Sequence, residues 1–241
     1  MNKRQAAGLL RDAVVCSNQL HASYLRDADA TRGYERFIEL QLHYFLPRYD
    51  DLRASQAYSD AIDFVVNDLT GTRIAARDRE LEKVVPLMSR VLPTRALTAL
   101  TTAMTLNERV LQININIAAS LADKLAAGEP ISEHDYCMAS REHATMSDFD
   151  ALIAMTRTAG EHLARIVRLP MIGSLLKSMR LPAKLAGVLD LHEFLQRGLD
   201  TFLQLDDVPE FLDTMQARMH AIFSHVFEAP SQTLDTAPIV P

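Results

Sequence analysis

Tryptophan is absent from this chain, and glycine occurs only 8 times in 241 residues. Alanine, leucine, arginine and methionine are plentiful instead, and these residues favour helix. Cysteine is scarce as well. Cys16 and Cys137 are the whole complement, far apart and outside any CxxC or zinc-finger spacing. Two lone cysteines make a weak disulfide framework, so reduced thiols and a cytoplasmic location are expected. No run of 18 uncharged apolar residues occurs, and no transmembrane segment is expected. The start, MNKRQAAGLLRDAVV, reaches Arg11 and Asp12 without the apolar stretch of a signal peptide.

The sequence also lacks the common chemical signatures. There is no GxxxxGK[ST] phosphate loop and no GxGxxG dinucleotide turn. No serine sits in a GxSxG elbow. A di-iron helical bundle needs Glu-x-x-His pairs, because that spacing puts both ligands on one helical face; none occurs. His134, Cys137 and His143 share a short segment, but the third lies about 240° round from the second and leaves no closed zinc set. Asp50-Asp51 and Asp60 with Asp63 do not complete the DDxxD or DxxxD spacing of a magnesium–diphosphate site, and read as a solvated face. No catalytic residue, cofactor or metal is therefore assigned, and the reading leans away from an enzyme. The net charge of −6 argues against nucleic acid as a partner.

What is present is helical periodicity. Apolar residues recur at helical spacing over 3–26, 32–53, 56–69, 75–92, 94–126, 133–144, 148–168, 171–180, 187–204 and 209–227. In the first segment the stripe is Leu9, Leu10, Ala13, Val14, Ser17, Leu20 and Tyr24. Pro47 is expected to kink or split its helix and Pro86 to bend its own, Gly71 to end the third in a left-handed turn, and the long 94–126 helix to break near Thr105–Asn107. Ser132 with Asp135 and Ser147 with Asp150 look like helix starts. The expectation is all-α: an irregular bundle of about nine or ten helices in a single domain over 1–228. The proline-containing, apolar-poor segment 229–241 is expected to be a disordered tail.

The stretch 55–93 is the most distinctive. Tyr49, Asp51, Leu52, Tyr58, Ala61, Phe64, Leu69, Gly71, Arg77, Asp78, Pro86 and Pro93 follow the pattern of an uncharacterised bacterial group, the FFLEELY motif proteins, which this chain resembles. The similarity extends weakly to residue 227 through LPMIGSLLKSMRLPAKLAG (169–187) and FLQRGLDTF (194–202). The motif itself reads FVVNDLTG over 64–71: Val65 replaces the second Phe, Asn67 and Asp68 the two acids, and Thr70 the Tyr. The resemblance implies an all-helical fold and no reaction.

Two features are candidates for binding. Arg77-Asp78 follows the Gly71 turn. It reads either as a site near the hairpin or as a capping or ion-pair device that pins the turn, the second being preferred. The segment from His162 to Leu189 holds Arg165, Arg168, Lys177, Arg180 and Lys184 and no acid, while the rest of the chain carries −11. It reads as a basic amphipathic surface for an acidic partner, an anionic ligand or a membrane face, or as a packed helix with its cations outward. The leading expectation is a non-catalytic module that binds a protein partner or itself as a homo-oligomer. The alternative is a carrier of a small apolar or anionic amphipathic ligand, such as a fatty acyl group, held between helices.

Overall fold

A computed structural model of the chain describes residues 2–70 and 73–239. Helix α1 (Lys3–Tyr24) opens on a reciprocal cap between Asn2 and Gln5. Helix α2 (Ala28–Phe45) is capped by Asp27, whose carboxylate accepts the Ala30 amide. Each cap occupies amides that the first helical turn leaves without partners. Pro47 lacks an amide hydrogen and tightens the next residues into a 3₁₀ turn, Leu46–Tyr49. Then come α3 (Asp50–Arg53) and α4 (Ser59–Phe64). The continuous 56–69 helix of the sequence reading is shorter here. Residues 65–69 form a wider turn, in which hydrogen bonds reach one residue further than in an α-helix. The expected left-handed terminator, Gly71, lies outside the described residues.

Helix α5 (Ile74–Val91) runs on through Pro86. Helix α6 (Thr94–Ser120) is unbroken at Thr105–Asn107 and ends instead at Leu121, before the short α7 (Ala122–Ala127). Gly128 closes α7 at φ 69°, a left-handed conformation that glycine adopts without a Cβ clash. Helices α8 (Glu133–His143) and α9 (Met146–Val167) start on the capping pairs Ser132–Asp135 and Thr145–Asp148. The second start therefore lies two residues before the expected one. Helix α10 (Pro170–Ser178) is followed by a further short helix, α11 (Arg180–Leu185), with Pro182 in its first turn. Helices α12 (Leu189–Gln204) and α13 (Val208–Glu228) complete the bundle. No named strand occurs among the described residues; the only β contact there is an isolated bridge between Ser132 and Pro238.

Helix α6 is the spine, flanked by α1, α8 and α9, while α5 packs on α1 and α13 on α9. One apolar cluster joins Tyr34, Phe37, Tyr44, Leu111, Tyr136, Cys137 and Val226. A second joins Ile62, Val167, Ile172, Leu199, Phe202, Phe211 and Leu212. A third joins Leu10, Val14, Leu81, Val85, Leu97 and Leu191. Two glycines let helices approach closely: a Cβ on Gly198 would lie 2.9 Å from Phe64 Cζ, and one on Gly160 would lie 2.5 Å from Leu212 Cδ2.

The composition of 229–241 predicts disorder, but the described part, 229–239, is packed. The Ile239 amide donates to the Ile131 carbonyl at 2.8 Å, and the His134 amide donates to the Asp235 carbonyl at 3.0 Å. Leu234 is only 4% exposed. Arg141 donates to the carbonyls of Val226 (2.6 Å) and Ala229 (2.7 Å), holding the turn out of α13. Two apolar side chains, Leu234 and Ile239, anchor the segment to the first cluster.

Candidate functional site

Arg77 and Asp78 are adjacent on α5, so their side chains leave the helix about 100° apart. Both are buried, at 8% and 6% exposure, and they turn to different neighbours. Asp78 faces α1 and α6. Its Oδ2 accepts from Ser17 Oγ at 2.6 Å, His21 Nε2 at 2.9 Å and Asn107 Nδ2 at 3.2 Å. The carboxylate only accepts, so His21 Nε2 carries a proton; His21 Nδ1 lies 2.7 Å from the Tyr24 hydroxyl. Burial and the nearby Asp78 charge push the Tyr24 hydroxyl well above the usual phenol range, so it stays protonated.

Arg77 faces the other way, toward α4 and α12. It donates to the Asp68 carbonyl and stands 3.8 Å from the Asp68 carboxylate. Its guanidinium lies over the Phe194 ring, 4.2 Å from the centroid, and Phe194 is stacked on Phe64 at 5.6 Å. Arg197 of α12 binds Asp68 with two parallel bonds, of 3.1 and 2.6 Å. Burial pulls the Arg77 guanidinium below its ordinary value against the pull of Asp68 and Asp78. The hydrogen bond to Asp68 raises that of Arg197.

The same helix makes two further ties. Glu80 accepts the Leu191 amide at 2.9 Å, in the first turn of α12, where a carboxylate is favoured by the helix dipole. Glu82 accepts from Asn18 Nδ2 at 2.6 Å. The charged first turns of α5 are thus spent on binding α1 and α6 on one side and α4 and α12 on the other. Buried polar groups that satisfy one another in this way fix the relative position of helices. Ser17, His21, Asp68, Asn107 and Arg197 belong to the network but were not marked as site residues by the sequence.

The five cations of the basic segment lie apart from this network, on the outside of the bundle. Arg165 pairs with Glu161 at 3.1 Å, and Arg180 stands 3.6 Å from Glu193. Arg168 donates to the Ala164 carbonyl at 3.1 Å. Among the described residues no carboxylate lies within 4.0 Å of Arg168, Lys177 or Lys184. All five are exposed. In the same segment Met171 of α10 and Leu181 and Leu185 of α11 leave 62%, 65% and 81% of their surfaces open. The inner sides of the two helices are used: Ile172 and Leu176 pack into the second apolar cluster, and His192 of α12 donates from Nε2 to the Leu176 carbonyl at 2.8 Å.

An open cleft of about 560 Å³ lies between Arg4, Gly8 and Arg11 of α1 and Val85, Pro86 and Ser89 of α5. Among the described residues, the buried side-chain atoms without a partner, Asn18 Oδ1 and His192 Nδ1, are not on its walls. Among the described residues no three His, Cys, Asp or Glu side chains converge as a metal set. Cys137 is buried against Tyr44, and burial pushes its thiol up to about 11. No helix among the described residues is long and apolar enough to cross a membrane.

Residues 25–233 match a protein family described as Domain of unknown function (DUF8198), and the chain belongs to that family. The match begins just after α1, so Ser17 and His21, two of the three side chains bound to Asp78, precede the matched residues. No curated protein and no solved structure matches the chain.

Proposed function

We propose that this protein is a non-catalytic interaction module that works through its outer surface. One observation carries the reading: α10 and α11 expose Met171, Leu181 and Leu185 together with Lys177 and Lys184, which have no carboxylate partner within 4.0 Å among the described residues, over a side that is closed by packing. Exposed apolar groups gathered in one place mark interaction surfaces more often than isolated ones do. The buried polar residues support the same reading. Asp78, His21, Ser17 and Asn107 use their hydrogen bonds on one another. The FFLEELY resemblance is compatible with it too, since Phe64, Arg77 and Asp78, with Asp68 at the second acid, act here as packing and ties. A cytoplasmic setting suits the free thiols Cys16 and Cys137.

A carrier of a fatty acyl group would need an apolar chamber, and the Leu and Ile side chains beside the basic segment are already packed against protein. Native mass spectrometry of the protein purified without added ligand tests the choice. The expected spectrum shows no small molecule retained at stoichiometric level. A bound mass that is lost on denaturation overturns the surface reading in favour of the carrier.

A further inference from the structure

We infer that the α10–α11 face docks on an anionic phospholipid surface; this deepens the interaction reading by naming the partner. Charge complementarity is the first argument. Residues 162–189 hold five cations and no acid in a chain of net charge −6; Lys177, Arg180 and Lys184 are the ones on α10 and α11, and of these only Arg180 has a carboxylate, Glu193, within 4.0 Å among the described residues. Each lysine or arginine brought close to an anionic leaflet strengthens binding roughly fivefold, over a range of about one Debye length. The −11 carried elsewhere then orients the molecule with this face toward the lipid and the rest away from it.

The second argument is the kind of contact that the face offers. Met171, Leu181 and Leu185 are aliphatic and unusually open, the pattern of a helix that lies in the plane of the interface with its apolar side chains among the acyl chains. The segment 162–189 contains no aromatic residue, no Asn or Gln and no carboxylate. A specific protein interface needs about one hydrogen bond per 100–200 Å² and draws on Tyr and Trp anchors. This face supplies positive charge and flexible apolar chains, which suffice for a fluid anionic surface. A two-fold dimer through the same face would set one positive surface against its copy, so self-association is disfavoured here.

The experiment is co-sedimentation of the full chain with phosphatidylcholine vesicles, with and without about one-third phosphatidylserine. The protein is expected to bind the phosphatidylserine vesicles and not the phosphatidylcholine ones, and to be released near 1 M salt, where the Debye length is about 3 Å. Lys177→Gln with Lys184→Gln is expected to weaken binding roughly thirtyfold, and Leu181→Gln with Leu185→Gln at least about tenfold. All four positions are exposed, and unchanged circular dichroism and Tm exclude misfolding as the cause. Absence of binding at low salt, equal binding to both vesicles, or binding that survives both double variants overturns the inference. The interaction reading fails separately: it stands if a protein partner protects residues 170–187 while vesicles do not, and it falls if the purified protein retains a small molecule.

Discussion

Replacing Asp78 by alanine removes the single oxygen on which three donors converge. Ser17 Oγ, His21 Nε2 and Asn107 Nδ2 would remain, and Ser17 and His21 are almost wholly buried. A buried donor left without an acceptor costs about 1–3 kcal/mol. Ser17 and Asn107 still bond each other at 3.1 Å, so the losses do not simply add. With Ser17 and His21 both losing their acceptor, the expected cost for Asp78→Ala is about 4 kcal/mol, a large share of the 5–15 kcal/mol that holds a typical domain. For a chain of this length that lowers Tm by roughly 8–16 °C. Asp78→Asn is the informative partner. All three bonds fall on Oδ2, and an amide oxygen placed there keeps an acceptor for each, so it should cost only about 1–2 kcal/mol. Urea unfolding followed by circular dichroism measures both. The reasoning is refuted if Asp78→Ala falls within about 0.5 kcal/mol of wild type, the range of an ordinary surface substitution.

Other consequences follow from particular contacts. Gly198→Ala drives a Cβ to 2.9 Å from the Phe64 ring, and is expected to destabilise by about 1 kcal/mol although alanine is the better helix former; thermal unfolding reads the sign. Two bonds from Arg218, at 2.8 and 2.7 Å, hold the Asp51 carboxyl down at about 2 from its ordinary 3.8. Because the folded-state value is the lower one, the contribution of this pair is present above pH 3.8 and is lost as pH falls through about 2. In Arg218→Gln, a carboxyl NMR titration should find Asp51 back near 3.8 and that part of the acid slope flattened; an unchanged titration contradicts the pairing. Truncation after Glu228 uncovers the groove beside Ile131 and removes buried Leu234, and urea unfolding should register a loss of about 2–3 kcal/mol.

The helical class was legible because it needs only local spacing, and the segments read from apolar periodicity correspond to the long helices. Their breaks were harder to read. Thr105–Asn107 looks like an interruption because polar residues enter an apolar stripe, yet Asn107 is polar in order to reach Ser17 and Asp78 inside the bundle. The real break, at Leu121, carries no proline or glycine. The contacts of 229–239 were not legible in composition: a few apolar anchors and backbone bonds carry them, and a low average hides those residues. Arg77-Asp78 was recognised as a pair, but its hydrogen bonds and ion contacts reach across four helices, which adjacency in sequence does not reveal. Its partners lie far off in sequence: Ser17 is 61 residues from Asp78, and Arg197 is 129 from Asp68. Ser17 left one signal, a hydroxyl within an apolar stripe, which implies a buried partner without naming it. Nothing local distinguishes His21 from a surface histidine. The cations and the leucines of α10–α11 were legible as residues. Their exposure was not, because proline-bracketed short helices can turn either face inward.

Hydrogen exchange of the full chain, alone and with phosphatidylserine-containing vesicles, tests most directly the claim that the polar residues of α5 hold the fold while α10–α11 meets the partner. The account predicts slow exchange in α1, α5 and α6 under both conditions, with new protection over residues 170–187 when vesicles are added. Protection that appears instead over residues 64–80, with 170–187 unchanged, would contradict it and make the Arg77–Asp78 hairpin the working site.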